Sequence, residues 1–109
     1  MTEEPKYKIA DTRIYREWRD NLKDCIGLAQ IGKRLERLAE GNPGYRRDFG
    51  TFSELKFKHG VGYRIYYTYH DQKLIILLAG GDKSTQTKDL ETARDMAQNL
   101  KEGRDDDRF

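Results

Sequence analysis

Polar and apolar positions alternate most regularly over residues 53–70. Leu55 and Phe57 alternate with Glu54, Lys56 and Lys58. After a glycine-bearing turn, Tyr63, Ile65, Tyr67 and Tyr69 alternate with Arg64, Tyr66, Thr68 and His70. A period of two marks a strand with one apolar and one polar face, so the stretch predicts two antiparallel strands joined by a short loop. The alternation sets Lys56, Lys58, Arg64 and Tyr66 away from Leu55, Phe57 and Ile65. It predicts a cationic, partly aromatic outer surface of the kind that takes a phosphate backbone with bases stacked beside it. The same pattern also describes an ordinary solvated sheet face whose charges block edge pairing.

The remaining elements follow from the same periodicities. Residues 7–10 predict a short strand. Asp11 or Thr12 can cap a helix to about residue 23, with Ile14, Trp18 and Leu22 as its buried stripe. A second helix is expected from about residue 26 to 40, with Leu28, Ile31, Leu35 and Leu38 inward and Lys33, Arg34 and Arg37 largely off the stripe. Gly41-Asn42-Pro43-Gly44 stops it. Residues 45–52 read as a loop bearing Arg46 and Arg47, and residues 69–73 reverse the chain. The apolar run 74–79 is too short for a typical helix and reads as the most buried strand. Gly80 and Gly81 break it, and a final helix follows, capped by Ser84, Thr85 or Thr87. Its stripe is Leu90, Ala93, Ala97 and Leu100, and Gly103 ends it. The predicted class is α+β in the order βααβββα: an antiparallel meander packed on an α-hairpin, with a C-terminal helix and the first strand at a sheet edge.

Composition narrows the possibilities. At 109 residues the chain reads as one domain, residues 1–109, with flexible ends at 1–5 and 103–109. Hydrophobic residues make up 36% and charged residues 37%, so the core must be lean, and seven tyrosines supply amphipathic bulk. No apolar run approaches the about 20 residues of a membrane span, and the acidic, proline-bearing start does not read as a signal peptide. These features predict a cytoplasmic protein with no membrane partner. The one cysteine, Cys25, is expected to act as a small hydrophobe in a reducing compartment. Net charge is only +2, but Asp105, Asp106 and Asp107 sit in the tail, so the middle of the chain is more basic than the total.

Four segments together carry a family likeness: Leu35-Glu36-Arg37-Leu38-Ala39-Glu40-Gly41-Asn42, Ser53-Glu54-Leu55-Lys56-Phe57, Gly60-Val61-Gly62-Tyr63-Arg64-Ile65-Tyr66-Tyr67 and Leu77-Leu78-Ala79-Gly80-Gly81-Asp82-Lys83-Ser84-Thr85-Gln86. In this order and spacing, over about residues 7–101, the chain resembles the RelE/ParE superfamily of type II toxins, and within it the HigB-like addiction-module killer proteins. The resemblance implies a compact toxin held inactive by a cognate antitoxin, often of helix-turn-helix type. RelE- and HigB-like members cut messenger RNA at the ribosome without a catalytic metal or other cofactor. ParE-like members share the fold and poison DNA gyrase, and fold alone does not choose between them. A remnant that binds antitoxin without activity is a third alternative.

Metal-free RNA cleavage needs a group to take the 2′-hydroxyl proton, one to stabilise the phosphorane and one at the leaving 5′-oxygen. By resemblance, Lys56 occupies the central-strand basic position and Arg64 the arginine of the Gly-Tyr-Arg motif, placed to clamp the scissile phosphate. Lys83 falls near a C-terminal basic position of RelE relatives, and His59, in the loop after Lys58, is a candidate for the histidine that HigB relatives use near the active site. Lys58, Arg46 and Arg47 are candidate substrate contacts. The chain departs from the pattern twice. Glu54 stands at one basic strand position, and Asp89 and Leu90 occupy the region of the relatives' base-stacking tyrosine, which leaves Tyr66 as the substitute stacking surface. Two histidines do not make a zinc site of the usual composition. The segment 80–84 lacks the Walker spacing and can instead lead into a helix whose N-terminus attracts an anion, or simply be a cap.

Overall fold

The computed structural model describes residues 4–58 and 60–109. Five strands form one mixed sheet in the order β1-β5-β4-β3-β2. They are β1 (Lys8–Asp11), β2 (Arg46–Asp48), β3 (Ser53–Lys56), β4 (Arg64–His70) and β5 (Leu74–Gly81). β1 lies at an edge and runs parallel to β5, while β2 to β5 form an antiparallel meander. Three helices complete the chain: α1 (Arg13–Asp20), α2 (Cys25–Ala39) and α3 (Gln86–Lys101).

The sheet is covered on both faces. Tyr15 of α1 and Ile31 and Leu38 of α2 pack with Leu55, Ile65, Tyr67, Ile75 and Leu77 on one side. Ala93, Met96 and Ala97 of α3 pack with Phe52, Tyr66, Ile76 and Leu78 on the other. The unbroken apolar run of β5 is what a strand buried on both faces requires. A bulge helps: Tyr66 faces Ala79 and Tyr67 faces Leu77, so Leu78 is the extra residue and both Leu78 and Ala79 join the α3 core.

The expected α-hairpin is present on one face, with Thr12 accepting from the Tyr15 amide as cap and Asp24 accepting from the Gly27 amide at the start of α2. Gly41 (φ +88°) ends α2, its amide on the Leu38 carbonyl and that of Asn42 on the Arg37 carbonyl. Several expectations are corrected. Residues 46–48 are a strand, not loop, so the order is βααββββα. Cys25 is exposed rather than packed as a hydrophobe. α3 is preceded by a 3-10 turn (Lys83–Thr85) capped by Asp82, whose carboxylate accepts from the Ser84 amide. An acid therefore already occupies the position proposed for an anion.

The tail is not frayed. The Ile14 amide donates to the Arg108 carbonyl at 3.0 Å, Arg108 pairs with Asp95 and Asp106, and Phe109 packs on the α3 core. Hydrogen bonds from the Arg108 side chain are the main cause that holds the Asp106 carboxyl at about 2. An unfolded aspartate titrates near 3.9, so this carboxylate stabilises the folded chain above about pH 4, and the contribution is lost as pH falls through about 2. Urea-unfolding midpoints should show it. The gap between the wild type and Asp106→Asn is expected to be constant from pH 7 to about 4 and to close by about pH 2.

Gly80 permits close packing of α1 on the sheet. A Cβ there would collide with the ring of Trp18, which itself abuts Tyr15 and Tyr63. Gly80→Ala should cost about 1–3 kcal/mol, the usual range for overpacking. Denaturant unfolding followed by fluorescence of the single tryptophan measures it, and an unchanged midpoint and spectrum would contradict this packing.

Candidate nucleic-acid interface

Strand register builds the site. The Lys56 amide donates to the Tyr45 carbonyl at 3.0 Å, Lys56 faces Arg64, and Arg64 faces Gly81. Residues opposite one another across strands share a face. Tyr45, Lys56 and Arg64 therefore form a row across one end of the sheet. In the next row Arg47 faces Glu54, and Glu54 faces Tyr66. Glu54 and Tyr66 are both 0% exposed.

Two recesses share Tyr45, Phe57 and Lys58 and so form one trough. The inner one, about 320 Å³, is also lined by Arg64 and Lys83. The outer one, about 300 Å³, is lined by Lys56 and by Lys33, Arg34 and Arg37 of α2. Tyr45 stands between them, 46% exposed, with the Lys56 and Lys58 ammonium groups 5.2 and 5.0 Å from its ring centre. Arg34 supports the wall: it donates to the carbonyls of Lys56, Pro43 and Tyr45 and lies over the Phe57 ring. Burial, reinforced by the charge of Arg37, lowers its pKa from the usual arginine value.

Arg64 is only 8% exposed. Its Nη1 donates to the Gly62 carbonyl at 2.9 Å and the Tyr63 carbonyl at 3.3 Å, and its Nε lies 3.8 Å from Glu54 Oε2. The same carboxylate oxygen accepts from Gln86 Nε2 at 2.9 Å. Gly62 (φ +71°) is pressed beneath: a Cβ there would meet Arg64 Nη1 and Lys83 Cβ, each at 3.4 Å. Glycine is thus needed for the left-handed turn that lies between Arg64 and Lys83.

Lys58, Arg64 and Lys83 converge on the inner recess and Lys56 adjoins it. His59 lies outside the described residues. Tyr66 is corrected: it is sealed under α3 beside Glu54, where burial and then the carboxylate charge push its hydroxyl far up, and it offers no face to a base. Arg46 and Arg47 line neither recess, and alternation along β2 sends them to opposite faces. Arg47 instead lies over Phe49. Tyr45, Lys33 and Arg37 are the residues that sequence reasoning passed over. Pairing of Tyr45 with Lys56 would have revealed the first, but it depends on β2, which carries no apolar alternation. Among the described residues no cluster of three or more metal-ligating side chains forms, and no helix is long and apolar enough to cross a membrane.

A small mixed α+β sheet with a cationic trough at one end is consistent with a RelE-like, toxin-type fold. The chain belongs to the family described as phage-derived protein Gp49-like (DUF891), which it matches over residues 18–102. This is a RelE/toxin-like family whose members are commonly toxins of toxin–antitoxin systems. An uncharacterized protein of Haemophilus influenzae is 41% identical over 95 residues, covering 85% of this chain and 95% of the relative.

The buried pair sets a stability expectation. Arg64→Ala leaves Glu54 buried without its cation and should cost about 3–5 kcal/mol. Lys56→Ala, at a half-buried position with no ion pair among the described residues, should stay within about 0.5 kcal/mol of wild type. Chemical denaturation of the two variants compares them. Equal stabilities would show that the pair does not hold the folded chain.

Proposed function

We propose that this chain is the toxin of a type II toxin–antitoxin system and a metal-independent endoribonuclease that cuts mRNA on the ribosome, as HigB-like proteins do. The observation that carries the reading is the trough: a buried arginine at its floor, lysines on both sides and an exposed tyrosine within it. Cations position a phosphate backbone and an aromatic ring stacks a base, which together suit a single-stranded substrate.

In this reading Lys56, as the free amine, takes the proton from the 2′-hydroxyl. The 2′-oxygen then bonds to the adjacent phosphorus and the bond to the 5′-oxygen breaks. Arg64 holds the non-bridging oxygens as charge builds on them, and the Lys83 ammonium gives its proton to the departing 5′-oxygen. The products are a 2′,3′-cyclic phosphate and a 5′-hydroxyl end. Lys58 and Tyr45 hold the flanking nucleotide. The antitoxin, a helix-turn-helix partner in the related systems, would silence the protein in the cytoplasm by covering this trough or grooves beside the helical pair.

Expression without antitoxin, with mapping of mRNA 5′ ends, tests the proposal. New 5′-hydroxyl ends within translated codons are expected. Lys56→Ala should lower cleavage by about 100-fold, within the range for loss of a general base. Growth arrest with intact mRNA and inhibited supercoiling would replace this reading with gyrase poisoning. No arrest from folded protein would point to an antitoxin-binding remnant.

A further inference from the structure

We infer that Glu54 is a positioning residue that, held by Gln86, orients Arg64 toward a phosphate in the inner recess. The inference rests on the reading of Arg64 as the phosphate clamp.

Three features carry it. The first is burial without full satisfaction. Glu54 is 0% exposed and the Tyr66 hydroxyl is buried beside its carboxylate, yet Arg64 Nε has no hydrogen-bond partner among the described residues. Incomplete polar networks are costly in a low dielectric and rarely serve stability. A buried ion pair can often be replaced by apolar residues without loss, and Phe52, Leu78 and Ala93 already form an apolar core on this face.

The second is the division of the guanidinium. Nη1 is committed to two backbone carbonyls and Nε faces the Glu54 carboxylate, which leaves Nη2 without a partner among the described residues, on a side chain that lines the recess. A planar fork hydrogen-bonded at Nη1 and drawn at Nε by the carboxylate charge has little freedom to turn, so Nη2 is presented in one direction.

The third is the anchor. Gln86 is the first residue of α3, and its bond to Glu54 Oε2 ties the start of that helix to the sheet row behind the site. α3 thus reaches the recess through Glu54 and Arg64.

The experiment is a double-substitution cycle read by single-turnover cleavage of mRNA on programmed ribosomes. Glu54→Gln keeps shape and removes charge. It should slow the saturated rate by about 10- to 100-fold, as expected when a clamp is misaligned by about 1 Å, with the half-saturating concentration nearly unchanged. In the Arg64→Lys background, Glu54→Gln should add less than about a 2-fold further loss. Equal losses in both backgrounds, or a Glu54→Gln variant as fast as wild type, would overturn the inference. If Glu54→Gln does not fold, Gln86→Ala takes its place in the same cycle under the same criteria. The Arg64 Nε–H resonance gives a readout independent of activity. It should shift in Glu54→Gln, and an unmoved signal counts against positioning. Failure of wild-type protein to cleave any RNA, with that resonance still dependent on Glu54, would instead remove the nuclease reading and leave the positioning contact intact.

Discussion

Burial of both faces of the two central strands is the constraint from which the rest follows. β5 has no polar residue in Leu74–Gly81, and β4 is buried over Arg64–Tyr67. Helices must therefore cover both sides, or apolar area on the order of a whole core would face water. α1 and α2 cover one side and α3 the other. A sheet so enclosed can offer chemistry only at its ends and edges. Arg64 lies at such an end, where β4 begins and the 3-10 turn before α3 leaves an opening beside Lys83. The position of the trough is a consequence of the layers, not of the charges that line it.

Within that geometry the charges are sorted. Net charge is only +2, but Asp95, Asp106 and Arg108 bind one another at the docked tail. Asp82 caps the turn into α3, and Glu54 is held by Arg64 and Gln86. The trough is left with lysines and arginines from α2, from β3 and its loop, and from the 3-10 turn. Like charges gathered in a concave surface reinforce one another's field and attract a polyanion more strongly than the net charge indicates. The two lysines above Tyr45 moderate that repulsion by resting against its electron-rich ring.

Much of this was legible in the sequence. The β3–β4 alternation, the helical stripes and the stop at Gly41 were all explicit, because each rests on local periodicity or on a backbone angle that glycine favours. Lys56, Lys58, Arg64 and Lys83 were legible as a group. What was not legible depended on pairing over distance. β2 is three charged residues, exposed along its length, and is a strand only because β3 pairs with it. Without β2, Tyr45 could not be placed beside Lys56. Tyr66 was read as outward because alternation distinguishes the two faces but not whether the polar-reading one is covered. The double-sided burial of β5 was the available signal, and it applied to β4 as well.

Glu54 brings these lines together. Counted as a departure from a basic strand position, it weakens the likeness to the RelE-like pattern. Placed in the fold, it lies one row behind the site, with its charge directed at the Arg64 guanidinium from the buried side. A second cation at that position would face Arg64 across a low-dielectric interior, where repulsion is strong. Once α3 seals that row, an acid is the only charged residue there that can share the space with Arg64 without driving it out of its place. The departure follows from the burial constraint, and the basic character of the site is carried instead by the row that remains open.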